Sequence, residues 1–274
     1  MQLSSQPLVS VIMPYYDQAD YLLDAVRSVE RQTYRNVELI IVDDCSPGPP
    51  AQELVGWRDL VPTKFVRHKE NLGAARSRNT AVENSAGELI VPLDSDDLLE
   101  PTYLEATVSA LQRSSAGAVC TAVKFFGDRE YIWTPEFSLP KFLTYSGPTT
   151  FLYRRAVFDS VGGYQWPLRC GEDHAFQVAV LKKGWQFIHL KEPLYLYRKH
   201  GGGKFRKTNW PERIRLLLAE HHDLYLAYLE DVIVDTADHY GELMSGYRGR
   251  WEQYQQLYEQ HCQQYPEQIP IATA

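Results

Sequence analysis

The chain of 274 residues is expected to fold as an α/β protein, a mostly parallel sheet flanked by helices. Three observations carry that expectation. Short β-branched runs alternate with amphipathic helical patterns, which is the order of βαβ units. The runs are apolar at nearly every position, as in strands covered on both faces. Two of them end in clustered carboxylates, and open α/β sheets bind ligands beyond the carboxyl ends of their strands.

Val9 to Pro14 and Val37 to Val42 read as the first two strands. Between them Leu22, Val26 and Val29 recur at i, i+4 and i+7, with Leu23 widening the stripe and Asp20 as the cap. The crossover joining these strands is right-handed and makes them parallel. Lys64 to Arg67 is a third short strand, Ala74 to Ala86 an Ala-rich helix stopped by Gly87, and Leu89 to Leu93 a fourth strand. A helix follows from Pro101, with Leu104, Val108 and Leu111 on one face, and then a strand from Ala118 to Phe126. Trp133 to Pro148 reads as loop with short strands. Arg154 to Val161 and Asp173 to Lys183 read as helices ended by glycines, and Trp185 to Leu190 and Leu194 to Tyr197 as two strands. From Pro211 the pattern is helical, with one stripe of Ile214, Leu217, Leu218, His221, Tyr225 and Tyr228 and another of Leu243, Tyr247, Tyr254, Leu257 and His261. Residues 1–205 are expected to form the α/β domain, and residues 206–274 a helical extension used for packing or dimerisation.

Composition narrows the function classes. A net charge of −7 and a pI near 5.6 exclude a general nucleic-acid binder, while a local basic groove for a diphosphate remains compatible. Cys45, Cys120, Cys170 and Cys262 lack metal-ligand spacing and disulfide-scaffold density, so reduced thiols in a cytoplasmic protein are expected. No segment has the form of a signal peptide or reaches the length needed to span a bilayer.

Ile90-Val91-Pro92-Leu93-Asp94-Ser95-Asp96-Asp97 places three carboxylates within four residues at a strand end. Taken alone, the segment fits either a solvated turn capping the next helix or an oxygen site for a divalent cation on a phosphorylated ligand. Asp43-Asp44 ends another strand, and in a parallel sheet both sets project from one rim. Folding has no need of such convergence, which favours the cation reading. Glu172-Asp173 opens a helix, where the macrodipole favours acids; for that pair alone, capping is the stronger reading. Arg76 and Arg78 lie near a helix N-terminus, where guanidinium forks and backbone amides meet phosphate.

In this order the motifs resemble the family 2 nucleotide-sugar glycosyltransferases of GT-A fold, over about residues 8 to 203. The matching segments are Val9 to Tyr16, Ser28 to Tyr34, Asp43 to Ser46, Asn71-Leu72-Gly73, Arg78-Asn79, Ala86-Gly87-Glu88 and Leu93 to Asp97. Gly162-Gly163-Tyr164, Gly171-Glu172-Asp173, Lys183-Gly184 and Tyr197 to His200 complete the series. The resemblance implies an inverting transfer from a nucleotide-diphosphate sugar, with UDP the usual carrier, to a hydroxyl of a saccharide or glycolipid, in polysaccharide or glycoconjugate assembly. It implies that Asp44 accepts a hydrogen bond from the base, with Pro14 and Tyr16 shaping its pocket. Arg78, Asp94 and Ser95 then belong to the donor site, and Asp96, with His200 as a weaker candidate, holds Mn²⁺ or Mg²⁺. Asp173 is the expected general base, with Glu172 as its alternative. Tyr164 and Trp166 are acceptor-side candidates, although core packing fits them equally.

Asp17 stands where relatives often carry Asn. The processive Gln-x-x-Arg-Trp motif is replaced by Tyr247-Arg248-Gly249-Arg250-Trp251, so one sugar per encounter is expected. Peripheral membrane association and a homodimer are compatible with this reading. The rivals are a nucleotide-sugar-binding module without turnover and a sugar-phosphate nucleotidyltransferase. The latter's Gly-rich basic loop is absent after the first strand, where Pro14-Tyr15-Tyr16-Asp17 stands. No G-x-G-x-x-G for a dinucleotide follows that strand either.

Overall fold

The structure is a computed structural model and describes residues 3–55, 61–136, 138–144, 146–165, 171–201, 217–219, 221–228 and 231–232. The strands are β1 (Val9–Tyr15), β2 (Val37–Asp43), β3 (Thr63–Arg67), β4 (Leu89–Pro92), β5 (Leu98–Leu99), β6 (Ala118–Gly127), β7 (Tyr131–Trp133), β8 (Leu152–Arg154) and β9 (Phe187–Lys199). The helices are α1 (Ala19–Glu30), α2 (Ala51–Val55), α3 (Ala74–Glu83), α4 (Tyr103–Gln112), α5 (Leu139–Thr144), α6 (Arg155–Val161), α7 (Glu172–Lys182) and α8 (His222–Ala227).

One sheet runs in the order β3-β2-β1-β4-β8-β6-β9-β5, with β7 paired to β6. Its first four strands are parallel, as the βαβ alternation demands. The sheet turns mixed at β8, which lies antiparallel to both β4 and β6, before the parallel β6·β9 pair resumes. Both faces are covered, and the residues alternate accordingly. Val9, Val11, Met13, Leu39, Ile41, Leu89 and Val91 join α1 and α4 in one core. Ile12, Ile40, Val42 and Ile90 join Ala81, Val157, Phe176 and Val180 of α3, α6 and α7 in the other. A strand buried on both sides has no polar face, which is why these runs are apolar throughout.

Several boundaries differ from expectation for physical reasons. Asp20 lies inside the first turn of α1 and is not its cap; Gln18 takes that position. Helix α3 ends at Glu83, before Gly87 is reached. Gly87 serves close approach instead: a Cβ there would lie 2.4 Å from Ser10 Oγ and 2.7 Å from the Leu8 carbonyl oxygen. The two strands expected between Trp185 and Tyr197 are one strand, β9. Its register against β6 jumps from Thr121↔Leu190 to Val123↔Tyr195, so the exposed Lys191-Glu192 and the following Pro193 fall in a bulge that a proline tolerates. The stretch after Trp133 contains the short helix α5 as well as loop. Helix α4 starts at Tyr103, two residues past Pro101, and strand β5 precedes it.

The chain divides into two compact units, Met1–Phe137 with Ser146–Asn209, and Ser138–Tyr145 with Trp210–Ala274. The first holds all nine strands. Within the second, Leu217 and Tyr225 are buried and the Tyr225 hydroxyl donates to the Leu143 carbonyl at 2.7 Å. The stripe from Leu243 to His261, and Ile214 of the earlier one, lie outside the described residues. Among the described residues no helix is long and apolar enough to cross a membrane. Cys45 and Cys120 are free thiols; Cys170 and Cys262 lie outside the described residues.

Candidate active site

Parallel pairing of β1 with β2 and β4 brings the ends of these strands to one edge of the sheet, with Tyr15 opposite Asp43 and Ile12 opposite Pro92. Just beyond β4, Asp94, Asp96 and Asp97 each offer a carboxylate oxygen, all within 4.8 Å of one another. They are not equivalent. Asp97 is 1% exposed; one oxygen accepts from the Tyr195 hydroxyl and the other from the Arg198 amide at 2.8 Å. Burial first, then the charges of Asp96 and Asp94, push its pKa well above the usual carboxylate range. Strand β5 explains this anchorage, because it zips Leu98 and Leu99 onto Leu196 and Tyr195 of β9. Asp94 and Asp96 remain reachable, with side chains 30% and 17% exposed. Asp96 accepts from Gln18 Nε2 at 2.7 Å, and His200 Nε2 lies 3.0 Å from the same oxygen. The structure thus brings together Asp96 and His200, the two candidate cation ligands of the sequence reading. Three clustered oxygen donors with a neighbouring imidazole suit a hard or borderline divalent cation, and Asp94 and Asp96 are the two carboxylates with room for one.

Arg78 ties this cluster to α7. The side chain is fully buried, with one terminal nitrogen on Asp94 Oδ1 at 2.6 Å and the other on Glu172 Oε1. Burial alone would lower its pKa, but the charges of Asp94 and Glu172 hold it well above the ordinary arginine value. Expected on a donor phosphate, this guanidinium is instead committed to two carboxylates, because α3 presents residue 78 inward while Arg76 pairs with Glu83 on the surface. The same contact separates the two acids of α7. Glu172 is buried and ion-paired, whereas Asp173 is half-buried and accepts from Thr149 Oγ1 at 3.1 Å. Burial first, then the charges of Asp97, Asp94, Asp96 and Asp173, raise the pKa of the Tyr197 hydroxyl.

At the end of β2 the two acids take different tasks. Asp43 accepts from the Ser46 and Ala51 amides and pairs with Arg67. Asp44 accepts from the Leu72 and Gly73 amides at 2.9 and 2.8 Å and is bonded to His68. Pro14 is half-buried at the end of β1, and Tyr16 just after it is 38% exposed.

The remaining expectations fare differently. Ser95 is buried, its hydroxyl donating to Gln18 Oε1 at 2.6 Å, so it braces the acidic turn rather than facing a ligand. Tyr164 is 3% exposed and stacks on Phe176 at 4.3 Å, which makes it a core residue rather than an acceptor contact. Trp166 and the glycines at 202 and 203 lie outside the described residues. Gln18, His68 and Tyr195 carry no signal in the sequence, and Arg198 enters it only as part of the Tyr197 to His200 segment. Each acts through a partner distant along the chain, and no local pattern marks that.

A family model for Glycosyl transferase family 2 matches residues 10–184, a span that contains the sheet edge and the acids of this site. The chain is a family 2 glycosyltransferase. TuaG of Bacillus subtilis (strain 168), named for glycosyl transfer in teichuronic acid biosynthesis, is 32% identical over 203 residues, covering 70% of this chain and 79% of TuaG. Among solved structures, Staphylococcus aureus TarS in complex with UDP-GlcNAc superposes with a TM-score of 0.68 at 21% identity, covering 82% of this chain and 72% of that one. The mannosyltransferase PcManGT of Pyrobaculum calidifontis, in complex with GDP-Man and Mn²⁺, gives a TM-score of 0.59 at 19% identity, covering 86% and 75%. Both likenesses establish the GT-A fold for this glycosyltransferase.

Proposed function

We propose that this glycosyltransferase moves one sugar per encounter from a UDP-sugar to a hydroxyl of a saccharide or glycolipid acceptor, with inversion and metal assistance, in polysaccharide or glycoconjugate assembly. One observation carries the reading: the buried Arg78 guanidinium pairs with both Asp94 of the acidic turn and Glu172, the residue before the half-buried Asp173, so the first turn of α7 lies against the acidic cluster and puts a base beside the diphosphate that Asp94 and Asp96 would hold. Asp96, with His200 beside it, would hold the divalent ion. When bound, such an ion supplies Lewis-acid neutralisation of the diphosphate leaving group. Asp94, fixed by Arg78, faces the ribose or sugar. Asp173 takes the proton from the acceptor hydroxyl as its oxygen attacks the anomeric carbon opposite the departing diphosphate; no covalent intermediate forms and one carboxylate suffices. Glu172 is the weaker base, because its charge is already spent on a buried guanidinium.

For the base, Asp44 offers an acceptor to the uracil imide N–H. Tyr16 and Leu72, both exposed apolar side chains, belong to the segments that flank it and provide faces for the ring. UDP as the carrier is supported by the TarS complex and metal assistance by the PcManGT complex, whose GDP-sugar is the competing donor class. Polysaccharide assembly is supported by the name of TuaG.

The test is calorimetry with UDP and GDP, in Mn²⁺ and then in chelator, on the wild type, Asp96→Asn and Asp173→Asn. Metal-dependent UDP binding is expected in the wild type and in Asp173→Asn, and its loss in Asp96→Asn. Transfer from a UDP-sugar should fall at least ~100-fold in Asp173→Asn, the scale of a lost general base. Wild-type protein that binds neither nucleotide under any condition overturns the donor site, and full transfer by Asp173→Asn overturns the base.

A further inference from the structure

His68 has no role in the site as described so far, yet it is the side chain that completes the coordination of Asp44. It follows β3 directly, its amide donating to the Asp43 carbonyl at 2.9 Å, and its side chain is 9% exposed against 5% for Asp44. Nδ1 lies 2.8 Å from Asp44 Oδ1, and Nε2 lies 3.0 Å from Thr80 Oγ1 on α3. The Leu72 and Gly73 amides can only donate, so Oδ1 and Oδ2 are both acceptors. His68 must therefore donate from Nδ1, and in the neutral ring Thr80 donates into Nε2.

The count of lone pairs has a consequence. Oδ1 accepts from His68 and from Leu72, which fills it; Oδ2 accepts from Gly73 alone among the described residues, which leaves it capacity for one further donor. A free carboxylate receives two donors side by side, as the N1–H and N2–H₂ of guanine present them. A carboxylate with one oxygen filled receives a single donor, as the N3–H of uracil presents it. Cytosine presents a lone pair at that atom and is repelled.

We propose that His68, held by Thr80, is a positioning residue that sets nucleobase specificity: by filling Asp44 Oδ1 and fixing the carboxylate, it makes the donor site accept uracil over guanine and cytosine. The inference rests on the reading of Asp44 as the base acceptor, and the experiment separates the two. UDP, GDP and CDP are titrated in Mn²⁺ against the wild type, His68→Ala, His68→Asn and Thr80→Val, with thermal melts to verify folding. The wild type should prefer UDP over both others. His68→Ala should lower the UDP-to-GDP affinity ratio by about tenfold, the scale of one hydrogen bond to a charged group. Asn places an amide N–H near the position of Nδ1, so His68→Asn should restore most of that ratio. Thr80→Val, nearly isosteric and tolerable even if His68→Ala does not fold, should move the ratio in the same direction by a smaller factor. A structural role alone would weaken all nucleotides together and leave the ratio unchanged. UDP binding with an unaltered ratio in His68→Ala and Thr80→Val overturns the assignment to His68, as does a wild type that prefers GDP. Absence of nucleotide binding by the wild type overturns the donor site itself, and this inference with it.

Discussion

Two residues near the rim adopt backbone conformations that their side chains disfavour. Asp17 has φ +53° and Cys45 φ +62°, both in the left-handed region. For Asp17 the cost is small, since Asp and Asn visit that region readily. Cys45 has no such excuse. Its conformation turns the chain directly after Asp44, and the Asp17 amide donates to Ser46 Oγ across the two turns at 3.1 Å. A left-handed L-residue costs about 1–2 kcal/mol, and glycine forfeits roughly 0.5–1 kcal/mol in chain entropy. Cys45→Gly should therefore hold or raise the denaturation midpoint, whereas Cys45→Val should lower it; urea titrations of the two variants check the sign. A clear loss of stability in Cys45→Gly would mean that the thiol contact to the Lys69 carbonyl outweighs the strain. The residue scale also shows where sequence reading stops. Asp94, Asp96 and Asp173 stand out because their charge clusters at element ends. Arg78 reads from sequence as a phosphate ligand because helix periodicity alone does not reveal that position 78 points at Asp94 and Glu172.

Among elements, the strands were legible where hydrophobicity and β-branching coincide, as in β1, β2 and β6, and illegible where pairing alone defines them. Strand β5 is two residues long and exists because β9 accepts it. Strand β8 is three residues long and joins β4 to β6. The bulge in β9 breaks a pattern that the ladder bridges. Gly87 belongs to this scale. The entry to β4 passes so close to β1 that its amide donates to Ser10 Oγ at 2.8 Å and to Glu38 Oε1 at 3.0 Å. A methyl group cannot be accommodated there without moving backbone, so Gly87→Ala should cost about 1–3 kcal/mol, the usual range for overpacking. Chemical denaturation reads that loss. An unchanged midpoint would show that β4 can shift away from β1, and that the acidic turn it carries is less rigidly held than its hydrogen bonds imply.

For the whole molecule, the placement of acids carries a stability consequence that varies with pH. Folding raises the pKa of Asp97, through burial and then through Asp96 and Asp94, so the folded chain retains a proton that the unfolded chain releases near its ordinary value of about 3.9. The sign follows from linkage. The contribution of this group is fully present below the unfolded pKa and is lost as pH rises through the folded pKa. Asp97→Asn cannot ionise, and it keeps an oxygen for the Arg198 amide. Measured in chelator, so that no cation compensates the charge, the melting temperature of Asp97→Asn relative to wild type should climb as pH rises from about 4 to about 8. A difference that is flat or falls with pH would mean that the Tyr195 and Arg198 hydrogen bonds offset the burial of the charge.

The order of residues along the chain was enough to specify the α/β class, the parallel first half, the family and the acids at the sheet edge. Those properties follow from local hydrophobic periodicity, from turn residues and from charge density, all of which are written contiguously. Which acid stays open and which is locked depended on contacts between residues 94 to 101 positions apart. Asp97 is held by residues about a hundred positions away, and Glu172 by an arginine 94 positions before it. Desolvation and pairing are properties of a three-dimensional neighbourhood, so equal carboxylates in a sequence become unequal only when strands β5 and β9 and helices α3 and α7 close around them.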